Sequence, residues 1–166
     1  GQPSQANFEN TLTLDYIKHS YDYLILEDES RTIGRAGLPG LWYEKMQTSK
    51  LIILEVENDI RAENIYEEYI YKEIKSGFSE DILLNKYLGS LKNIKRRLGN
   101  KIYSEIKYLM ENAFYNNEEE LHKEWILMIL LNYYDKMYNY KLDMRKDFIV
   151  YKGTSESCKD YINSMF

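Results

Sequence analysis

The sequence predicts an α/β fold in which a small parallel sheet carries a large helical insertion. Three stretches, 23–26, 51–56 and 148–151, contain mostly uninterrupted apolar residues, which is typical of strands buried on both faces. From about 79 to 140, apolar residues instead recur at helical spacing. The order strand, helix, strand favours a right-handed parallel crossover. We therefore expect one domain over residues 1–166 with a helical subdomain at about 78–140.

Local signals place the elements of the first half. Pro3 and Ser4 are typical of a helix start, and the predicted helix leads into the strand at 23–26. Glycines and a proline make 31–40 a loop, and a short helix over 41–47 precedes the strand at 51–56. Asn58 or Asp59 can cap the helix that follows, which is expected to end near Ser76 before Gly77.

The second half is predicted to be helix upon helix. Ser79 is a plausible N-cap, Gly99 ends the helix that follows, and Asn117 is expected to open a later one. After the last strand, the segment Gly153-Thr154-Ser155 caps a terminal helix.

Composition limits the possible functions. The net charge of −5 gives no general attraction to nucleic acid or membrane, so such binding needs a local patch. Cys158 is the only cysteine, which excludes an internal disulfide. The polar N-terminus and the lack of an apolar run near ~20 residues predict neither a signal peptide nor a membrane span. We expect a cytoplasmic protein.

Acidic and basic residues follow the predicted strands where ligands bind in open α/β sheets. Asp28 and Glu29 come directly after the strand at 23–26, and Arg31 and Arg35 lie in the loop beyond them. Arg61 lies in the first helical turn after the strand at 51–56. Strand-end acids can hold Mg²⁺ or water, and arginines bind phosphate, so we expect these five residues to converge on a phosphate or nucleotide. The alternative is a solvated acidic turn and an ordinary surface loop.

A basic patch stands out against the acidic background. Ten residues, 92–101, contain five cations and no acid: Lys92, Lys95, Arg96, Arg97 and Lys101. Such a patch suits the phosphate backbone of a nucleic acid or a polyphosphate. Alternatively it is a solvated helix end, because cations are favourable at helix C-termini.

Several common active-site patterns are absent. No Cys or His residues stand at zinc-ligand spacing, and the sequence lacks both GxSxG and the phosphate-binding GxxxxGK[ST] loop. For His122 helix packing is the simpler interpretation, and for Cys158 a buried position without catalytic activation. The catalytic residues are therefore not identifiable from these patterns.

Eight short segments together resemble one enzyme family, the bacterial tRNA 2-selenouridine synthases. They keep the family's order and cover nearly the whole chain: Gln2-Pro3-Ser4-Gln5, Phe8-Glu9-Asn10, Leu26-Glu27-Asp28-Glu29-Ser30-Arg31, Ile33-Gly34-Arg35, Leu38-Pro39, Lys95-Arg96-Arg97-Leu98-Gly99, Leu121-His122-Lys123-Glu124-Trp125-Ile126, and Tyr133-Tyr134-Asp135-Lys136-Met137-Tyr138. Lys136 stands where we expect a proline. Each segment is short, but their joint occurrence is far more specific than any one of them.

The resemblance implies a two-part transferase. A rhodanese-like domain carries the nucleophilic cysteine, which is expected outside this chain, and a P-loop domain follows it. The family replaces sulfur by selenium on the wobble 2-thiouridine of tRNA with selenophosphate, through an S-geranylated intermediate that requires geranyl diphosphate. The chain then resembles the part of a P-loop NTPase-like domain that follows the Walker A loop, and by itself is expected to be inactive.

By position, the resemblance assigns Asp28 and Glu29 to a Walker B-like segment and Arg31 and Arg35 to an arginine loop. It assigns Arg96 and Arg97 to a basic motif, consistent with tRNA binding by the patch at 92–101. Two other classes stay open: a fragment of a P-loop kinase or NTPase, and a non-catalytic tRNA-binding module. If the strand leading into the Walker A loop is missing, we expect another segment to fill its place between 23–26 and 51–56, rather than direct pairing of these strands.

Overall fold

The protein is a mostly helical α/β structure with a helical bundle and a small parallel sheet. A computed structural model describes residues 2–20, 22–28 and 30–165. The chain divides into two compact units, residues 1–51 and 52–166, and each is described separately below. The predicted helix-rich second half is confirmed, whereas the single domain over 1–166 stays a prediction.

The first unit consists of two helices and a hairpin. Helix α1 spans Gln5–Lys18, and the hydroxyl of Ser4 accepts a hydrogen bond from the amide of Asn7, as the N-cap assignment predicts. Strands β1 (Thr32–Ile33) and β2 (Ala36–Gly37) pair antiparallel. Helix α2 spans Gly40–Gln47. The rings of Tyr16 and Trp42 meet edge to face at 5.2 Å and join the two helices.

The strand predicted at 23–26 is not formed. Residues 23–28 have no regular secondary structure, and the four side chains Tyr23, Leu24, Ile25 and Leu26 are 46–64% exposed. A parallel strand buried on both faces needs hydrogen-bonded neighbours and helix cover. Neither small sheet in the described ranges includes residues 23–26. The apolar residues at 23–26 therefore predict a strand by their type, but a strand forms only where neighbouring strands are available to pair with it.

The sheet of the second unit contains two strands, β3 (Leu51–Leu54) and β4 (Ile149–Gly153). The amide of Glu55 donates to the carbonyl of Gly153 at 2.8 Å, so the C-terminal ends of both strands lie together and the strands run parallel. Both strand predictions are confirmed with shifted bounds. Helix α9 (Ser155–Asn163) follows, and the side chain of Thr154 caps it.

The bundle begins with one long, interrupted helical arm. Helix α3 (Asn58–Tyr66) continues through a π-helical segment, π1 (Glu67–Tyr71), into α4 (Lys72–Lys75). A second arm is built in the same way from α7 (Glu119–Ile129), π2 (Leu130–Tyr134) and α8 (Asp135–Met144). Between them lie α5 (Glu80–Leu98) and α6 (Asn100–Asn116). A 3-10 turn at Lys146–Phe148 leads into β4.

The core of the bundle comes from the apolar faces of these helices. Its most completely buried large side chains are Ile70, Leu83, Leu91, Ile106 and Met110. The caps predicted at Ser79 and Gly99 are confirmed, and Gly99 has a φ of +80°, which glycine adopts without strain. The role predicted for Asn117 is wrong: it ends α6 in the left-handed conformation, and α7 begins at Glu119. Asparagine suits either position, because it adopts the left-handed conformation readily and its side chain can also cap a helix N-terminus.

Candidate functional site: a cavity in the helical bundle

A cavity of about 540 Å³ opens within the helical bundle of the second unit. This volume lies in the range of small-molecule sites, roughly 300–1,000 Å³. Its walls come from α3, α5, α6, both π-helical segments, α7 and α8 and are largely apolar: Ile65, Ile70, Leu91, Ile94, Met110, Ile126, Ile129 and Leu130. The cavity therefore suits an apolar ligand or an apolar part of one.

Both π-helical segments contribute to the cavity wall. Tyr69 lies in π1 and Tyr134 in π2, and both line the cavity. The hydroxyl of Tyr87 donates to the backbone carbonyl of Tyr69 at 2.5 Å and thereby joins α5 to π1. Burial raises the pKa of the Tyr87 phenol above its ordinary value. Because π-helical turns frequently occur at functional sites, two of them on one cavity favour a binding role.

Arg61 in the cavity wall is paired with Asp135. The guanidinium of Arg61 donates from Nη2 to Asp135 Oδ1 at 2.6 Å and from Nη1 to Oδ2 at 3.1 Å. Both side chains are less than a third exposed. The hydrogen bond to Asp135 raises the pKa of Arg61. Arg61 therefore brings a permanent, partly buried positive charge to an otherwise apolar site.

An aromatic cluster around His122 packs beneath the cavity. His122 is 2% exposed, and its ring meets Phe114 edge to face at 4.5 Å. The indole Nε1 of Trp125, which lines the cavity, donates to His122 Nδ1 at 3.2 Å. Burial lowers the pKa of His122 to about 4, so the ring is neutral at pH 7. The prediction that His122 serves helix packing is confirmed.

The residue after His122 ties α7 to α3. Lys123 Nζ lies 2.5 Å from Glu63 and 2.6 Å from Glu119, with Glu120 at 3.2 Å. Hydrogen bonds to these carboxylates raise the pKa of Lys123. The segment Leu121–Ile126, identified from its resemblance to a known family, therefore fixes the arm that carries π2.

The basic patch lies at the C-terminal end of α5 and the start of α6. Its five cations are exposed, as a nucleic-acid contact requires: Lys92, Lys95, Arg96, Arg97 and Lys101. Lys95 lies over the ring of Tyr103 at 4.7 Å. Arg97 lies over the ring of Tyr133 at 5.7 Å and donates to its hydroxyl at 3.1 Å. The patch thus reaches π2 through Arg97, and its tRNA role stays a prediction.

In the first unit, two glutamines hold the hairpin that carries Arg35. Gln2 donates to the carbonyl of Ile33 at 2.8 Å and accepts from the amide of Arg35 at 2.9 Å. Gln5 donates to the carbonyl and accepts from the amide of Gly37, both at 2.8 Å. Each side-chain amide thus pairs with the backbone in both directions. Nothing in the composition of Gln2-Pro3-Ser4-Gln5 predicts this, but its place in the family resemblance marks it.

The hairpin turn depends on Gly34. Its φ of +64° at the first central position is typical of a type II′ turn. A Cβ at this position would collide with the side chain of Gln2. The side chains of Arg31 and Arg35 are exposed on either side of β1. The glycine therefore serves both the turn and the glutamine contact.

The side chain of Asp28 is exposed in the structure. Asp28 lies in the irregular stretch before the hairpin, and Glu29 lies outside the described residues. Among residues 2–20, 22–28 and 30–165, no three His, Cys, Asp or Glu side chains gather closely enough to hold a metal ion. The Mg²⁺ site suggested near Asp28 stays a prediction. The predicted convergence of Asp28, Glu29, Arg31 and Arg35 with Arg61 stays a prediction.

Cys158 is buried beside the small sheet. Its Sγ lies 3.4 Å from the carbonyl of Gly153 and 3.7 Å from that of Ile53. It is 7% exposed, in agreement with the interpretation as a buried residue. Its position links α9 to β3 and β4.

The whole chain, residues 1–166, matches the family described as the tRNA 2-selenouridine synthase AAA domain. The chain belongs to this family. Relatives named tRNA 2-selenouridine synthase agree: those of Shewanella sp. (strain ANA-3) and Shewanella halifaxensis are each 35% identical over 98% of this chain and 48% of their own length. The relative from Shewanella oneidensis is 34% identical over 99% of the chain and 47% of its own length.

The chain thus spans about half the length of the curated relatives that it matches. No solved structure matches it. In the described part of the chain, no helix is both long and apolar enough to cross a membrane. Of the residues predicted from sequence, Arg61 lies at the cavity. Sequence reasoning missed Tyr69, Tyr87 and Trp125 in its wall and Asp135 as the partner of Arg61. The segments around Trp125 and Asp135 carried a family signal, but no local pattern indicated a cavity.

Proposed function

We propose that this chain is the P-loop-related part of a cytoplasmic tRNA-modifying transferase that replaces sulfur by selenium at the wobble 2-thiouridine. The observation that carries the proposal is the family match over the full chain. Its co-substrates are selenophosphate and geranyl diphosphate, and its remaining partners are tRNA and the rhodanese and Walker A portion of the same enzyme. The chain supplies binding groups, and the nucleophilic cysteine lies outside it.

The cavity is the part of the chain best suited to the geranyl group. Its wall is largely apolar, and Arg61 places a cation in it. When the sulfur of the base attacks the geranyl carbon, the carbon–oxygen bond breaks and the electron pair leaves with diphosphate. A fixed guanidinium stabilises charge that develops on such a leaving group. The apolar wall meanwhile excludes water that would otherwise hydrolyse the activated carbon.

The exposed cations provide the other binding role. The patch Lys92–Lys101 neutralises tRNA phosphates, and Arg31 and Arg35 bind a phosphate of the nucleotide or selenium donor. Asp28 assists there, consistent with its Walker B-like position in the family resemblance. The exposure of all these side chains supports the proposal, because phosphate contacts must be accessible to the ligand.

The transferase role is tested by comparing the chain with the complete enzyme that carries it. Each is incubated with 2-thiouridine tRNA, geranyl diphosphate and selenophosphate, and the modified nucleosides are separated and identified by mass. We expect selenouridine from the complete enzyme and none from the chain alone, because Cys158 is buried and has no activating base beside it in the described structure. Turnover by the chain alone, or none by the complete enzyme, would contradict this assignment.

The cavity is tested by filling it. Ser90 lines the cavity but is an exposed position of α5, so Ser90→Trp adds bulk there without replacing a core residue. We expect loss of geranyl transfer with tRNA affinity retained. The matched control is Ser104→Trp on α6, an exposed serine that does not line the cavity. Normal geranyl transfer by Ser90→Trp would show that the geranyl group does not bind in the cavity.

A further inference from the structure

Three tyrosines of the second arm form a continuous aromatic row beside the basic patch. The rings of Tyr133 and Tyr134 meet edge to face at 5.0 Å, and those of Tyr134 and Tyr138 are nearly parallel at 6.4 Å and 20°. Tyr134 is 40% and Tyr138 44% exposed. Both also line the cavity. The row therefore runs from Arg97, which contacts Tyr133, to the cavity itself.

Cations accompany the aromatic row at both ends. Arg97 lies over Tyr133, and Lys141 Nζ lies 5.9 Å from the ring centre of Tyr138. The acid nearest to the row in sequence, Asp135, is paired with Arg61. Arg97 and Lys141 thus place a positive charge at each end of the row in a chain with a net charge of −5.

Interleaved aromatic rings and cations are the means by which proteins hold unpaired nucleotides. Bases stack on tyrosine rings, and cations beside the rings bind the phosphates between those bases. A base pair in a duplex does not offer its faces in this way, whereas a loop nucleotide does. The row therefore fits single-stranded RNA better than a helical stem or an acidic peptide.

We propose that Tyr134 and Tyr138 form a stacking platform for an unpaired nucleotide of the RNA substrate, with Arg97 and Lys141 on its flanking phosphates. The proposal rests on the proposed function for the identity of the RNA, but the platform itself rests on the tyrosine row. Since both tyrosines line the cavity, a base stacked on them lies next to the apolar space assigned to the geranyl group. The basic patch then supplies affinity, and the platform selects an unpaired base.

Binding of two fluorescein-labelled probes tests the platform: a single-stranded oligouridylate and a duplex of equal length. Loss of one stacked base weakens binding by about 5- to 160-fold. Hence Tyr138→Leu should bind the single strand more weakly by this factor and should keep its affinity for the duplex. The salt dependence of binding should stay unchanged, because no phosphate contact is removed. Tyr138→Phe, which keeps the ring, should bind as the unmodified chain does.

The control is Tyr115→Leu, which removes an 89% exposed tyrosine of α6 remote from the row in sequence. Thermal unfolding of every variant is measured alongside, and Tyr134→Leu repeats the test if Tyr138→Leu does not fold. Equal single-strand affinity for the tyrosine variants and the control would overturn the platform while leaving phosphate binding intact. If neither probe binds the unmodified chain, both the stacking platform and the tRNA-binding role proposed for this chain are wrong.

Discussion

Asp135 holds Arg61 through two parallel hydrogen bonds that join the second arm of the bundle to the first. The bonds measure 2.6 and 3.1 Å, and the two residues are 74 positions apart in the chain. Arg61 lies near the start of α3, which follows β3 in the chain, and Asp135 is the first residue after π2. The same pair therefore fixes the two arms at the cavity and balances a charge that the cavity otherwise would leave unpaired.

The first prediction concerns this pair. Asp135→Asn keeps the shape of the side chain but removes its charge, so Arg61 loses its counter-charge in a partly buried position. We expect the free energy of unfolding to fall by about 1–3 kcal/mol. Diphosphate should bind more tightly, because Asp135 no longer competes for the guanidinium.

Urea unfolding and calorimetric titration with inorganic diphosphate measure the two effects. Asp143→Asn, an exposed position on the same helix, is the control and should change stability by less than about 0.5 kcal/mol. Weaker diphosphate binding by Asp135→Asn would contradict the role given to Arg61.

The second prediction concerns the glutamine contacts of the hairpin. Gln5→Glu replaces the amide donor by a second acceptor, so the bonds to the carbonyl of Gly37 and to Glu9 Oε1 are lost, while the bond from the amide of Gly37 can remain. We expect a loss of about 0.5–1.5 kcal/mol in local stability. Hydrogen exchange at the amides of Gly37 and Arg35 should become faster. The same change at Gln47 in α2 leaves the hairpin contacts in place, and equal exchange in both variants would exclude a role for Gln5.

The third prediction is a pH dependence that arises from His122. Its pKa of about 4 in the folded chain lies below the ordinary value of 6.5, so the unfolded chain binds this proton more tightly. The neutral His122 ring therefore costs the folded chain no stability above pH 6.5. As the pH falls from 6.5 toward 4, the free energy of unfolding declines by up to about 1.4 kcal/mol per pH unit, because the unfolded chain binds the proton first. His122→Phe, which keeps an aromatic ring, should remove this part of the acid sensitivity.

Urea unfolding of both proteins at a series of pH values between 4 and 7 gives the comparison. His19→Phe is the matched control, because His19 is exposed. The prediction fails if the stability of His122→Phe declines with acid as steeply as that of the unmodified chain.

The fourth prediction concerns the basic patch. Reversal of Arg96 and Arg97 to Glu should weaken tRNA binding and reduce the slope of log affinity against log salt by roughly one unit for each lost phosphate contact. A double reversal of the exposed Lys152 and Lys159 makes the same charge change elsewhere. If affinity and slope respond equally to both double reversals, net charge rather than the patch controls binding.

The fifth prediction concerns Asp28. Because this side chain is exposed, Asp28→Asn should alter the free energy of unfolding by less than about 0.5 kcal/mol. In the enzyme that carries this chain, however, we expect the rate of selenation to fall by about 100-fold if the carboxylate assists the phosphate site. Asp22→Asn, in the same irregular stretch, provides the comparison. Equal rates for the two variants would place Asp28 outside the active site.

Sequence reasoning was most successful where a local rule has one common outcome. Ser4, Ser79 and Thr154 each cap the helix that follows, since a short hydroxyl side chain satisfies free amides in the first turn. Gly99 ends its helix for an equally local reason. The buried position of His122 also followed from its surroundings, because the apolar spacing of α7 places it on the packed face.

Features that depend on distant parts of the chain could not be predicted from local sequence. The run Tyr23–Leu26 has strand-like residues, but a strand also requires neighbours that local sequence does not specify. The pairing of Arg61 with Asp135 was missed for the same reason, since it spans 74 positions. The cavity depends on two π-helical turns, and the spacing of apolar residues in an ordinary helix gives no indication of them.

The two π-helical segments also have a consequence for the history of the chain. A π turn closes its hydrogen bonds over one residue more than an α turn, so each segment has the form left by a single-residue insertion into a helix. Removing one residue from Leu130–Tyr134 would restore an ordinary helical turn and leave the register of α8 unchanged, but it would remove the turn that brings both Leu130 and Tyr134 to the cavity wall. A relative that lacks one residue in this turn is therefore expected to keep the rest of the bundle and to differ in the wall of the cavity.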